Sequence, residues 1–429
     1  MHWRAEVKGG VRAAVTVGPL AGPSGGTGRL AVFVADRTAG VHALDAATGQ
    51  ELWSTKVETH PFATITGSPV LYDGRLYAPL SSSEEISTYV KGWKCCTFRG
   101  NVVALDASSG KTLWRTYAIA EAAKPYRTDA AGGQLFGPAG AAIWSAPTVD
   151  PKRGVLYVAT GDSYTDAPNT GSDAVLAMDL VTGEVRWSRQ VTADDNYLVG
   201  CTGAAGQPAA CPRTIGPDHD FGASPVLREL PNGRSVLMAG QKSGQVTAFD
   251  PDRKGEVLWQ TRLSPGSALG GVEWGMAADR DLLFVPIADP YAPKGQGKAG
   301  MYALSIGDGH VSWSNPAPDP NCAVAPKGSL INICTSGLSA APTAIDGLVF
   351  EGSLDGVLRA YDARTGKVAW SFDLGQASFR PLNAAAPMKG DTMNAAGATI
   401  AGDTLFQVSG YQTSNPKAMN LLLAFTPGR

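Results

Sequence analysis

The stretch ALDAATGQELW (43–53) decides the fold, because it returns five times. It recurs as ALDASSGKTLW (104–114), AMDLVTGEVRW (177–187), AFDPDRKGEVLW (248–259), ALSIGDGHVSW (303–313) and AYDARTGKVAW (360–370). With Trp3 of HWRAEV counted, Trp3, Trp53, Trp114, Trp187, Trp259, Trp313 and Trp370 stand 50 to 73 residues apart. A period of that size marks a repeat architecture whose unit is one supersecondary element. Each string reads as a strand, a turn of the Asp-x-x-Thr-Gly type and a second strand opening on Trp; the glycine suits a left-handed turn position. Upstream of each lie two further short apolar runs, such as SAPTVD (145–150) and VLYVAT (155–160). Alternating β-branched and aromatic residues between Gly/Asp turns read as strands. Each unit therefore offers four antiparallel strands, A to D, and four-stranded sheets repeated radially make a β-propeller.

The fold expected is all-β: a single β-propeller domain over 1–429 with seven repeat units. Residues 2–7 read as a D strand with no A–C before it, and 395–426 as A–C with no D after it. Pairing the two would cover both sheet edges.

Composition agrees and excludes other classes. Glycine (52) and proline (29) are abundant while 44% of the chain is hydrophobic, which describes a turn-rich globule. A net charge of −2 points to neither nucleic acid nor an anionic membrane surface. No apolar run approaches the about 20 residues of a membrane helix. The opening MHWRAEVKGG has no apolar core of the kind a secretion signal needs. Cys201 with Cys211 and Cys322 with Cys334 each bracket a short loop, as disulfides formed outside the cytoplasm do. Cys95 and Cys96 stand side by side in WKCCTFRG (93–100), and two readings are open: a strained vicinal bridge, or two independent thiols.

In a four-stranded blade the D–A and B–C connections share one face. Several B–C loops are long, notably 81–102, 161–175 and 288–301, and long loops on a rigid scaffold are where binding sites form. Polar residues recur at the ends of B strands: Glu84 and Glu85, Asp162, Lys242 and Asp289. The D–A side adds Trp144, Asp220 and Trp274. Carboxylates with carbonyls suit a hard cation such as Ca²⁺, and apolar planes with a lysine suit a flat anionic cofactor. The plainer readings are turn residues for Asp162, Asp220 and Asp289, solvated charge for Glu84, Glu85 and Lys242, and blade packing for the tryptophans.

Longer strings resemble a known family. CCTFRGNVVALD (95–106), GPAGAAIWSAPTVDPKRGVLYVATGDSYTD (137–166), DFGASPVL (220–227), AGQKSGQVTAFDPDR (239–253) and LGGVEWGMAAD (269–279) are similar to the pyrroloquinoline-quinone (PQQ) alcohol dehydrogenases, most of all their polyvinyl-alcohol dehydrogenase branch. The resemblance implies PQQ held between a Cys95–Cys96 vicinal disulfide and Trp144, with Trp274 nearby. It implies Ca²⁺ on Glu85 (or Glu84) and Asp162, and Asp220 as the base that takes the alcohol proton. Lys242 would contact the quinone oxygens and Arg99 the PQQ carboxylates. The activity implied is oxidation of polyvinyl alcohol or other secondary alcohols, with electrons passed to cytochrome c in the periplasm. The chain departs from the family in three ways: seven units against the usual eight, a cysteine pair that follows the calcium glutamate, and Glu273 beside Trp274. These departures keep a second reading in view, a non-catalytic PQQ-like propeller serving as a protein-binding scaffold.

Overall fold

The computed structural model describes residues 2–22, 25–90, 92–129, 132–203, 207–292, 296–318, 337–383, 386–410 and 420–428. They form two compact units, 1–225 and 226–429. The first unit carries three blade sheets, over 16–56, 63–117 and 148–190; the second carries four, over 226–262, 277–316, 343–373 and 399–425. Each is antiparallel with its strands in chain order, the order of a propeller blade, except that in the sheet over 63–117 both 63–64 and 70–72 pair with Arg75–Ser82.

The recurring string acts through its alanine. Ala43 pairs with Phe33 on strand B and Trp53 on strand D. Ala104 lies between Tyr77 and Trp114, Ala177 between Tyr157 and Trp187, and Ala303 between Phe284 and Trp313. A methyl group leaves room for the two rings to meet across it, with centroids 5.8–6.0 Å apart. Directly after each alanine the C–D register slips by a bulge, which strengthens the local twist.

The same tryptophans join one sheet to the next. Trp53 Nε1 donates to Ala107 O, Trp114 to Leu180 O, Trp259 to Ile306 O and Trp313 to Ala363 O, at 2.9–3.3 Å. Each ring lies on the glycine of the next C–D turn: Gly110, Gly183, Gly309 and Gly366 have φ of 68–76°, and a Cβ there would come within 2.6 Å of the indole. Glycine is needed twice over, for the left-handed backbone and for the close approach. The Asp of the turn closes it, as Asp45 Oδ1 does by accepting from the Ala47 and Thr48 amides.

Residues 2–7 depart from expectation. They form no strand, and the last sheet, 399–425, has three strands. Trp3 nevertheless behaves as a D-strand tryptophan, donating to Ala46 O at 3.0 Å and lying over Gly49. Cys201 and Cys211 are bonded, as expected. Cys322 and Cys334 lie outside the described residues.

Candidate functional site

The B–C connection of the second sheet runs from Arg75–Ser82 into a 3₁₀ turn, Glu84–Tyr89, and on to Cys95 and Cys96, which are bonded to each other. Glu84 and Glu85 have separate duties. Glu84 is fully buried; its carboxylate accepts from Trp93 Nε1 (2.9 Å), the Thr97 amide (3.0 and 3.1 Å) and the Phe98 amide (2.8 Å). It is a clamp on the segment after the cysteines, not solvated charge. Burial pushes its carboxyl up, and those hydrogen bonds oppose the rise. Glu85 is only partly buried, and its carbonyl accepts from the Val199 amide at 3.0 Å.

The cysteine pair is held from the other side by a hairpin, Lys124–Thr128 with Gln134–Gly137. Phe136 N donates to Cys95 O and Cys96 N to Phe136 O, at 3.0 and 3.1 Å. Cys95, Cys96, Phe98 and Tyr164 belong to one apolar cluster, against which Trp144 packs half-buried.

Beside this cluster the acids converge. The 139–143 segment lies along 160–164 through Ala141 N to Asp162 O (2.7 Å), Gly161 N to Ala142 O (2.8 Å) and Tyr164 N to Ala139 O (3.0 Å). Asp162 N donates to Asp220 Oδ1 at 2.6 Å, and Phe221 N to Thr160 O at 3.2 Å. A side chain at Gly161 would collide with that same carboxylate, since its Cβ would sit 2.8 Å from Asp220 Oδ1. Glycine there is what lets Asp220 approach the loop.

The electrostatics of this corner are one-sided. Asp162 is 2% exposed, and its Oδ2 has no hydrogen-bond partner among the described residues. Burial first, then the like charges of Asp220, Glu85, Asp218 and Asp173, push its carboxyl well above the usual range. The Tyr164 phenol is raised by burial and by Glu85, Asp162, Asp220 and Glu84. No cationic side chain figures among these influences. A buried carboxylate oxygen facing only like charge fits a hard divalent cation. The protein groups do not complete its shell, because among the described residues no three His, Cys, Asp or Glu side chains converge tightly enough to hold a metal. Ca²⁺ takes about six to eight oxygens, so Asp162 and Glu85 fit it only with further donors from a bound ligand.

Of the residues singled out from sequence, Glu85, Asp162, Asp220, Cys95, Cys96 and Trp144 all lie in the first unit. The carboxylates sense one another, and Trp144 packs on the cluster that holds the cysteines. Arg99 also lies in the first unit: its Nη1 donates to Ile119 O and Ala120 O at 2.9 Å, and the guanidinium lies 3.9 Å over the Tyr117 ring. Lys242 and Trp274 lie in the second unit. Lys242 is 7% exposed, so it is no solvated hairpin residue, and Trp274 is partly buried. Asp289, in the second unit, organises its own loop, accepting from Ser264 Oγ, Gly271 N and Lys298 N. Sequence reading missed Asp173 and Tyr164. Asp173 sits at a left-handed position (φ 47°) just before a strand, where an Asp reads only as a turn.

Comparison with known proteins places the chain. The family described as outer membrane protein assembly factor BamB matches residues 2–89 and 242–413, and the glucose/ethanol/alcohol dehydrogenase β-propeller domain matches 83–198. The chain is 46% identical over 435 residues to a polyvinylalcohol dehydrogenase of a Pseudomonas species, covering 99% of this chain and 66% of that protein. It is 42% identical to the polyvinylalcohol dehydrogenase of Sphingopyxis sp. (strain 113P3), covering 96% of this chain and 62% of the relative. It thus spans slightly under two thirds of these relatives' length. The solved quinohemoprotein alcohol dehydrogenase ADHIIG of Pseudomonas putida HK5 superposes with a TM-score of 0.61 at 20% identity, covering 89% of this chain and 61% of that one, a likeness of fold. Taken with the blade repeat, these matches show that the chain belongs to the PQQ-repeat β-propeller family.

Proposed function

We propose that the protein is a PQQ- and Ca²⁺-dependent alcohol dehydrogenase acting on polyvinyl alcohol or other secondary alcohols, with cytochrome c as electron acceptor in the periplasm. The observation that carries this reading is the buried Asp162 carboxyl, with Oδ2 unpartnered among the described residues, on a residue whose amide bonds Asp220 and which lies beside the apolar cluster of Cys95 and Cys96 on which Trp144 packs. When bound, PQQ supplies a two-electron quinone acceptor and Ca²⁺ the Lewis acidity that polarises it.

The chain's own residues divide the remaining work. Asp162 and Glu85 hold the cation. Cys95–Cys96 and Trp144 supply apolar surfaces for a flat ring system. Asp220 takes the hydroxyl proton of the alcohol, and the Asp162 amide on its Oδ1 fixes the orientation a base needs. Lys242 and Trp274 are assigned to cofactor contact on the family resemblance. Arg99 is likewise assigned to the cofactor carboxylates on the family resemblance, through guanidinium nitrogens other than the Nη1 that serves two backbone carbonyls.

The test is reconstitution. The folded protein is given PQQ and Ca²⁺, and dye reduction is followed with polyvinyl alcohol and with simple secondary alcohols. Turnover that needs both additions is expected; a folded protein that takes up no PQQ supports the scaffold reading instead. Asp220→Asn keeps the acceptor for the Asp162 amide, so it should bind PQQ and lose turnover. Full activity in that variant rejects Asp220 as the base.

A further inference from the structure

A second polar site lies in the first unit. The Lys124–Thr128 strand, Asp166 and Arg213, two residues beyond the bonded Cys211, border a surface cavity of about 290 Å³, lined by Tyr126, Arg127, Thr128, Asp166 and Arg213. Its lone carboxylate is already engaged. Asp166 Oδ1 accepts from the Tyr126 hydroxyl at 2.6 Å and faces Arg127 Nε at 3.6 Å, while Oδ2 accepts from the Arg213 amide at 3.0 Å. These contacts outweigh burial and hold the Asp166 carboxyl below its usual range, so it is ionised.

The donors are not used up. Arg127 gives Nη2 to Cys211 O at 3.0 Å, which aims the guanidinium along the cavity wall, and its Nε is buried without a hydrogen-bond partner. The Arg213 side chain is exposed and makes no hydrogen bond or ion pair with a described residue. Two guanidiniums therefore face one satisfied carboxylate, leaving a surplus positive charge with planar donor forks. That geometry matches carboxylate and phosphate oxygens. The volume sits at the small end of ligand sites, which run from about 300 Å³ upward.

We propose that this cavity binds a small oxyanion-bearing molecule, a short dicarboxylate or a phosphate compound, through Arg127 and Arg213. Asp166 is the positioning residue that sets Arg127 and Tyr126. The inference stands apart from the alcohol-oxidising role, because none of these residues belongs to the acidic cluster, although Tyr126, Arg127 and Thr128 lie on the hairpin whose other strand bonds the cysteine pair.

Succinate and inorganic phosphate are titrated separately into the full chain at constant ionic strength, with chloride as control, and followed by calorimetry. Saturable one-site binding by either anion is expected, and the stronger of the two identifies the headgroup. Arg127→Gln and Arg213→Gln should each weaken it about tenfold or more, the loss expected for a charge-assisted hydrogen bond. Arg213→Gln is the cleaner variant, since that side chain holds nothing in place. Dye reduction by the reconstituted protein should be unchanged in Arg213→Gln. Binding no stronger than that of chloride, or binding that survives the double variant, overturns the proposal.

Discussion

Replacing Glu351 by valine should stabilise the protein, and the gain should grow with pH. Glu351 lies on strand Leu348–Gly352, is 1% exposed, and has no hydrogen-bond partner for either carboxyl oxygen among the described residues. Arg359 is its ladder partner, but that guanidinium is taken by Asp355 Oδ2 (2.7 Å) and Ser353 Oγ. Burial therefore dominates and pushes the Glu351 carboxyl well above its usual 4.5. The equivalent ladder position, one residue after the partner of the repeat's alanine, is apolar in the first five sheets: Val34, Ala78, Val158, Ala239 and Val285. Valine is close to glutamate in volume and already fills this place three times. Leaving a buried polar group unpartnered costs about 1–3 kcal/mol even when it is neutral. In a unit of about 200 residues 1 kcal/mol moves Tm by about 2–4 °C, so a rise of roughly 2–12 °C is expected at acid pH. Because the folded form holds its proton longer than the unfolded chain, wild-type stability falls as pH climbs from 4.5 through the raised value. Differential scanning fluorimetry of wild type, Glu351→Val and Glu351→Gln from pH 4.5 to 8 reads both effects. The Glu351→Gln variant should flatten the slope without removing the burial cost. A Glu351→Val protein less stable than wild type at every pH, or with an unchanged slope, refutes the reasoning.

Asp162→Asn should raise the metal-free Tm by relieving a buried like-charge contact, and should abolish the further rise that Ca²⁺ added with PQQ gives wild type. A wild-type response to Ca²⁺ in the variant would remove Asp162 from the cation set. Glu84→Gln keeps one acceptor oxygen of two and should cost about 1.5–3 kcal/mol. Hydrogen exchange reads the site directly, as the amides of Thr97 and Phe98 should lose protection in that variant. Opening Cys201–Cys211 by serine substitution releases a loop about ten residues long, worth about 2.5–3 kcal/mol by loop entropy. It also frees Cys211 O from Arg127 and should weaken oxyanion binding in the same calorimetric experiment.

The sheets were legible because the repeat writes its own ladder. Alanine, Asp-x-x-Thr-Gly and tryptophan occupy fixed positions relative to each other, so local spacing suffices to assign register. Residues 2–7 show the limit of that logic. The motif encodes the docking of an indole on a glycine turn, which Trp3 performs, but it does not guarantee a strand around it. At the site, residues at strand ends could be grouped on one face, whereas duties within a loop could not be read. Glu84 and Glu85 are identical in kind and adjacent, and only the path of 93–98 back over Glu84 separates clamp from ligand. The contacts of Arg99 were hidden for a similar reason, since the carbonyls that take its Nη1 belong to a connection about twenty residues away. Asp173 and the Arg127–Arg213 cavity depend on contacts between loops, for which spacing carries no signal.

The indole-on-glycine seam carries a consequence for how such chains change length. The repeats joined by Trp53, Trp114, Trp259 and Trp313 present the same donor at one border and the same receptor at the other, so excision or duplication of one whole period among them rejoins matching halves. A cut elsewhere in the period leaves an aromatic ring with no floor beneath it and a left-handed turn with nothing resting on it. Insertions and deletions tolerated by this lineage should therefore come as whole periods, or fall in the connections that never touch a seam.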